Sequence, residues 1–395
     1  MHVCVMADTF PSALDPWRGP YNRRQFECLA RFCRVTAIAP LPWTEALSKP
    51  GVRQLARGVD HVLDDLPIYH PVLRYLPVIG RHRTWRGVLK AARRTIRRMP
   101  APAFDLIVAT FAYPHGLAAK HLAAELRIPY VVKVRGSDLH ALPDRGRRRD
   151  LTSEALRSAA EIVAVSSNLA EIAADLGADG ERIHVLTNGI DADHFTVMPR
   201  EDARRELDIE PDRRVAFYVG NLLPVKGPDI LLDALSPPGP LDLSSANGLL
   251  AIAGGGPMLR QLETRVLSGQ AARTVRLLGR LSREAVALWM NAADCTVLPS
   301  RDEGCPNVVL ESLACGTPVV ASRVGAVPDL LDDACGIIVP PADARALGVA
   351  IADAWQRGWD REAIRAKVSG RSWEENAKAL FDILERARST GKAPA

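Results

Sequence analysis

Seven cysteines in 395 residues, an odd number with no C-x2-C pair, exclude a disulfide framework or a zinc ribbon as the organising device. Aromatic residues are scarce, at 5%, and no nucleic-acid motif accompanies the basic ones, so nucleic acid is not an expected partner. No stretch approaches the ~18 uninterrupted apolar residues of a spanning helix. The opening MHVCVMADTF lacks a basic segment before its apolar run and reads as a first strand, not as a signal peptide. A reduced, cytoplasmic protein is the expectation from these absences. There is no internal repeat at a fixed period, and no strand-like run is followed by a clean G-x-G-x-x-G, which argues against a dinucleotide dehydrogenase.

What the chain does have is an alternation of strand-like and helix-like stretches, the pattern of a parallel doubly wound α/β sheet. HVCVMA (2–7), VTAIAP, DLIVAT (105–110), YVVKVRG (130–136) and EIVAVS (161–166) form a first series. A hydrophilic segment around Phe195–Arg213 interrupts it, and VAFYVG (215–220) restarts it, followed by LLAIAGGG, VRLLG (275–279), CTVLPS (295–300) and IIVPP (337–341). Two Rossmann-like domains are expected, over residues 1–190 and 195–373, with the cleft between them as the default site. SPPGPLDLSSANG (236–248) reads as a surface loop.

The most informative block is LPSRDEGCPNVVLESLACGTPVV, residues 298–320. CTVLPS is a buried strand, and Pro306 and Gly316 bracket a helix over Asn307–Cys315. Glu303 then lies in the loop at the strand's carboxyl end and Glu311 on the helix behind it, in the crevice where open α/β sheets bind ligands. The backbone around Gly304, Cys305, Pro306, Asn307 and Val308 forms a helix N-terminus suited to a phosphate. Two carboxylates beside an anion cradle suit a ligand with both hydroxyls and phosphates, such as a nucleotide sugar. Cys305 reads as a small packed residue, not a nucleophile.

The spacing of Glu303 and Glu311, the PNVVLE core and the ACGTPVV continuation resemble the E-x7-E signature of the family 4 retaining glycosyltransferases of GT-B fold, also called glycosyl transferases group 1. The resemblance runs from the N-terminal glycine loop to a tail helix of about 374–395 that would cross back to the first domain. It implies transfer of a sugar from a nucleoside diphosphate donor to an acceptor hydroxyl with the anomeric configuration kept. Glu311 would hold the donor's ribose hydroxyls, Glu303 the sugar near its reacting face and Lys226 the diphosphate. Lys226 sits in GNLLPVKG (220–227), where the family has an arginine after the first glycine and this chain has Asn221, which offers only neutral hydrogen bonds. Gly255, in GGGP, and Gly19, in FPSALDPWRGPYNRRQ, match glycines beside the donor, although a tight turn explains each equally well. His115, in YPHG, matches the family's HG pair and would meet a sugar hydroxyl or the reacting centre. Arg135 and Asp138, in RGSD, are expected at the cleft rim, either contacting acceptor or phosphate or forming a salt bridge that shapes the loop. Asp294 and Arg301 read as supporting residues, and TNGID (187–191) as an architectural turn.

No metal or other cofactor is expected: Lys226 and amide dipoles can carry the charge, and the DAD at 191–193 lies in the interdomain turn. Charge is uneven, with 27 Lys and Arg against 18 Asp and Glu in residues 1–190, and 24 against 28 in the remainder. Arg81–Arg98 holds eight of these cations and no acid, with Trp85, Val88, Leu89 and Ile96 interleaved. It reads as a solvated basic face or as an interfacial helix on anionic lipid at the inner face of the cell membrane. A glycan or lipid-linked acceptor fits the second reading. The first half is similar in tone to the branch that builds surface polysaccharides, teichuronic-acid-like polymers included. The alternatives are a GT-B sugar-nucleotide epimerase, a phosphorylase, for which no pyridoxal-binding lysine is evident, and a catalytically silent glycan-binding homologue.

Overall fold

The computed structural model describes residues 1–391 except 17, 50, 61–62, 64–65, 76–80, 100–102, 236–240 and 269–273 and the side chain of Arg81. Parts of the expected 236–248 loop, of the 10–25 loop and of the tail beyond 391 therefore lie outside the described residues. The chain divides into two compact units, Met1–Gly189 with Trp373–Ala395, and Ile190–Ser372.

The first unit contains β1 (His2–Met6), β2 (Arg34–Ile38), β3 (Leu41–Pro42), β4 (Ile68–Tyr69), β5 (Val72–Leu73), β6 (Leu106–Thr110), β7 (Tyr130–Val134), β8 (Glu161–Ala164) and β9 (Ile183–Val185). Seven of them form one sheet in the order β4-β2-β1-β6-β7-β8-β9, each neighbour parallel, while β3 and β5 pair separately. The central strands are buried throughout, so they read as near-continuous apolar runs rather than alternating ones. The helix Trp373–Ser389 joins this unit by a stripe of Ala377, Leu380, Leu384 and Ala387 at helical spacing, packed with Phe26, Leu29 and Val163. Its Asn376 accepts from Gln25 Nε2 at 2.6 Å and donates to the carbonyl of Thr187 at 2.6 Å, and the buried Lys133 ammonium donates to Gln25.

The second unit contains β10 (Arg214–Val219), β11 (Gly248–Ala253), β12 (Val275–Gly279), β13 (Cys295–Leu298), β14 (Val319–Ser322) and β15 (Gly336–Val339), in the order β12-β11-β10-β13-β14-β15, all parallel. Apolar residues fill both faces, Phe217, Leu249 and Leu310 on one and Tyr218, Leu250 and Leu347 on the other. The hydrophilic 195–213 segment is not structureless: Arg200–Glu206 is a short helix whose Arg204 is held by Asp294 at 2.8 Å. Strands β3, β4, β5 and β9 carry two or three residues each, too short to leave a periodic signal in the sequence. Among the described residues no helix is long and apolar enough to cross a membrane.

Candidate active site

In the second unit the chain lays down β10, moves outward through β11 and β12, then returns to place β13 on the other side of β10. The connections leaving β10 and β13 therefore diverge, and their carboxyl ends open a crevice at a topological switch point. The loop after β10 runs through Gly220 and Asn221 into the single turn Pro224–Lys226, and the loop after β13 carries Ser300, Arg301 and Glu303. At their meeting point the Lys226 ammonium donates to both Glu303 oxygens, each at 2.7 Å. The Ser300 hydroxyl donates to Glu303 Oε1 at 2.8 Å. Glu303 is buried, whereas Lys226 keeps part of its side chain in solvent.

Two features hold these loops together. Gly227 has φ 65°, and a Cβ there would sit 2.1 Å from the carbonyl oxygen of Pro299, so only glycine lets the two loops close. Arg301 forks onto Asp229 at 2.9 and 2.7 Å, donates to the Pro224 carbonyl at 2.6 Å, and its N–H donates to Val225 O at 2.8 Å. Arg301 is thus a clamp on the turn that presents Lys226. Asp294 stands away from this edge, bound to Arg200, Arg204 and the amide of Val215 where β10 begins.

The glycines after β11 lie over the same loop. Added Cβ atoms would meet Gly220 O at 1.8 Å from Gly254 and Leu222 O at 2.5 Å from Gly256, while Gly255 faces the Arg280 side chain. Asn221 is exposed beside them, its carbonyl accepting from the Tyr218 hydroxyl at 3.3 Å.

The helix behind β13 is Asn307–Ala314, and Pro306 is its N-cap rather than part of its first turn. Pro306 contributes no side-chain cap, and a helix N-terminus leaves its first amides without intrahelical partners. The 303–304 backbone rests on Gly325, and Ala326 N donates to Gly304 O at 2.8 Å. Cys305 is half-buried against the apolar core and Asn307 is buried. Glu311, one turn further on, is not in the Lys226 network. Burial pushes its carboxyl up to about 7; Arg283 opposes the shift and Asp191 adds to it. Those two neighbours form their own ion pair at 3.2 Å.

In the first unit the switch point falls between β1 and β6. Gly19, with φ 65°, caps the helix Pro20–Ala30, and a Cβ there would lie 2.6 Å from the Thr9 carbonyl, which Asn22 also engages. His115 follows β6, is 2% exposed, and its Nδ1 is buried without a hydrogen-bond partner. Desolvation lowers its pKa, opposed by the charge of Asp8 at the end of β1, so the imidazole is neutral near pH 7.

The rim reading of Asp138 is corrected by its surroundings. Its carboxylate is buried and accepts from the amides of Ala112 at 2.9 Å and of Arg135 and Gly136 at 3.1 Å, so it shapes the loop that carries His115. The Arg135 guanidinium donates to Asn22 Oδ1.

Reasoning from sequence missed Ser300, Asp8 and the Arg283–Asp191 pair. Only Ser300 left a signal, three residues before Glu303 in the same loop. Among the described residues no three His, Cys, Asp or Glu side chains converge on a metal-sized site.

Residues 199–371 match the family described as Glycosyl transferases group 1, and residues 27–194 match Glycosyltransferase Family 4. A Bacillus subtilis protein named as the teichuronic acid biosynthesis glycosyltransferase TuaC is 28% identical over 400 residues, covering 98% of this chain and 97% of that protein. A D-inositol 3-phosphate glycosyltransferase of Xylanimonas cellulosilytica is 35% identical over 235 residues, 55% of this chain and 54% of that protein. The solved structure of Anabaena Alr3699/HepE in complex with UDP is similar with a TM-score of 0.71 at 18% identity, covering 98% of this chain and all of that one. Sucrose-phosphate synthase from Thermosynechococcus elongatus is similar with a TM-score of 0.71 at 20% identity, covering 99% and 97%. At such identities the structural likeness is one of fold.

Proposed function

Since the chain belongs to the family 4 and group 1 glycosyltransferases, we propose that it moves a sugar from a nucleoside diphosphate sugar to an acceptor hydroxyl with retention, in the assembly of a surface polysaccharide or glycolipid. The observation that carries this reading is the Lys226–Glu303 pair at the switch point of a GT-B fold's second unit. The UDP held by the Anabaena neighbour supports a nucleoside diphosphate donor, and the name of the Bacillus relative supports the polysaccharide role.

Without a donor, Lys226 and Glu303 neutralise one another. The incoming diphosphate takes the ammonium, and Glu303, still held by Ser300, accepts from hydroxyls of the sugar. The amides of Gly304, Cys305, Asn307 and Val308 add dipole to the same phosphates, Glu311 takes the ribose hydroxyls, and Asn221, Gly255 and Gly19 let the backbone approach the donor. As the bond between the anomeric carbon and the phosphate oxygen breaks, its electron pair goes to the diphosphate, which Lys226 stabilises. The acceptor hydroxyl attacks from the same face and gives its proton to that leaving oxygen. Neutral His115 hydrogen-bonds a hydroxyl of the transferring sugar, and Arg135 contacts the acceptor. No divalent ion is called for, because Lys226 and the helix amides carry the developing charge. A lipid-linked acceptor would go with peripheral contact to an anionic membrane, to which the exposed Arg86 and Arg97 are suited.

The test is a thermal-shift screen against UDP, GDP, ADP and their sugars, followed by incubation with acceptor and assignment of the product anomer by NMR. One nucleotide series should raise the melting temperature, a ligand at 100 times its dissociation constant adding about 2.7 kcal/mol. An inverted product refutes the retaining mechanism. Interconversion of the donor sugar without acceptor points to an epimerase, and no shift with any nucleotide to a silent homologue.

A further inference from the structure

In the first unit, a cavity of about 580 Å³ lies between the helix Thr84–Ile96, the turn after the helix Gly51–Leu55, and β4 and β5. Five cations line it: Arg57, Arg74, Lys90, Arg94 and Arg98. They come from three separate parts of the chain, and three of them recur at four-residue spacing, Lys90 and Arg94 on one face of the helix and Arg98 just past its end. Among the described residues no carboxylate lines the cavity and none of the five cations has an ion pair. The contrast with Arg93 is informative, since that residue, on the same helix but outside the cavity, is bound by Glu125. Asp60 does not itself line the cavity; its Oδ2 accepts from the amide of Ala13 at 2.8 Å and lies 3.5 Å from Nε2 of the cavity-lining His70.

The floor is neutral and close-fitting. Gly87, Ala91 and Thr95 present a small-residue surface, and a Cβ on Gly87 would come within 2.7 Å of the Arg74 carbonyl. The helix is therefore pressed against the segment after β5, and Arg57, Arg74 and Arg94 line the cavity beside it. Like charges at this spacing repel one another on an isolated helix. A concave site that gathers five cations with no carboxylate among its described lining residues is complementary to an oxyanion carrying more than one charge, which guanidinium forks bind in a bidentate manner.

We propose that this cavity binds a phosphate or diphosphate group, carried either by a soluble molecule or by a lipid headgroup. The cavity's lining includes neither Lys226 nor Glu303, and the proposal does not depend on the transfer reaction.

The experiment is acetylation of the full chain with limiting reagent, read at Lys90 by mass spectrometry, at constant ionic strength set with chloride. The probes are inorganic pyrophosphate, vesicles of phosphatidylglycerol, and vesicles of phosphatidylcholine. Pyrophosphate at ten times its dissociation constant should leave about one tenth of the sites open, slowing acetylation of Lys90 about tenfold while sparing Lys378. Arg57→Ala/Arg94→Ala, which removes two exposed side chains, should abolish this protection with the melting temperature unchanged. Arg97→Ala, on the same helix but outside the cavity, should keep it. Protection by pyrophosphate identifies a soluble phosphate as sufficient; protection only by phosphatidylglycerol vesicles identifies a headgroup. Failure of every probe to protect Lys90 overturns the proposal, as does equal protection in the double variant or equal loss in Arg97→Ala.

Discussion

The ammonium of Lys226 lies 2.7 Å from each carboxylate oxygen of Glu303, joining the loop after β10 to the loop after β13. Glu303 is buried and Lys226 partly exposed, so removing the lysine leaves a desolvated carboxylate with Ser300 as its remaining side-chain donor. In a double-mutant cycle, Lys226→Ala and Glu303→Ala should show an interaction energy of about 1–2 kcal/mol, read from denaturant midpoints. Each single variant should also lower the transfer rate by one to two orders of magnitude, corresponding to about 1.5–3 kcal/mol per charge-assisted hydrogen bond. Strictly additive stabilities would show that the pair is only a proximity.

Glu311 sets a pH dependence of stability. Its native carboxyl is raised from 4.5 to about 7, so between those values the folded chain binds the proton more tightly than the unfolded chain. The native state is favoured below that window and loses this stabilisation as pH rises through it. Glu311→Gln should therefore be more stable than the wild type by about 1–3 kcal/mol near pH 8 and equal to it near pH 4. The same variant should lose the nucleotide-induced thermal shift. A variant that binds nucleotide as the wild type does removes Glu311 from the donor site.

His115 works in the opposite sense. Desolvation lowers its pKa below the ordinary 6.5, so the folded chain resists protonation and stability falls as pH drops below that value. Its Cε1 proton resonance should not titrate between about pH 8 and 6.5, and the transfer rate should show no limb from this group in that range. A midpoint near 6.5 or above in the NMR titration would contradict the buried, neutral imidazole.

Gly227→Ala tests the loop closure. Its Cβ would fall 2.1 Å from the Pro299 carbonyl oxygen at a positive φ, so the loops must separate. A loss of at least about 2 kcal/mol in chemical denaturation is expected, together with a fall in activity like that of Lys226→Ala. Full activity in this variant would mean that Lys226 is presented without the close approach.

The sequence carried the doubly wound class because fully buried parallel strands must be written as short apolar runs, as in DLIVAT, YVVKV and LLAIA. It placed Glu303 and Lys226 in loops at strand ends and Glu311 on the helix behind, because such loops and helix starts are punctuated by glycine and proline; the roles given to them rest on the family resemblance. Asp138 shows the limit of that reading: a carboxylate in a loop after a strand looks like a rim residue until three amides are seen to surround it. Short strands such as β4 and β9 were silent for a different reason, since two or three residues establish no period.

The chain by itself determined the two series of strands, the residues delivered to their carboxyl ends, and the excess of cations between 81 and 98, because periodicity, turn chemistry and charge are local properties. Tertiary structure alone decided which of those residues meet. Lys226 and Glu303 are 77 residues apart and touch only because β13 returns to the side of β10. Glu311 is eight residues from Glu303, yet its charge state is set by burial and by Arg283 and Asp191, which come from remote segments. Hydrogen bonds, desolvation and ion pairing depend on distance in space, which sequence separation does not encode.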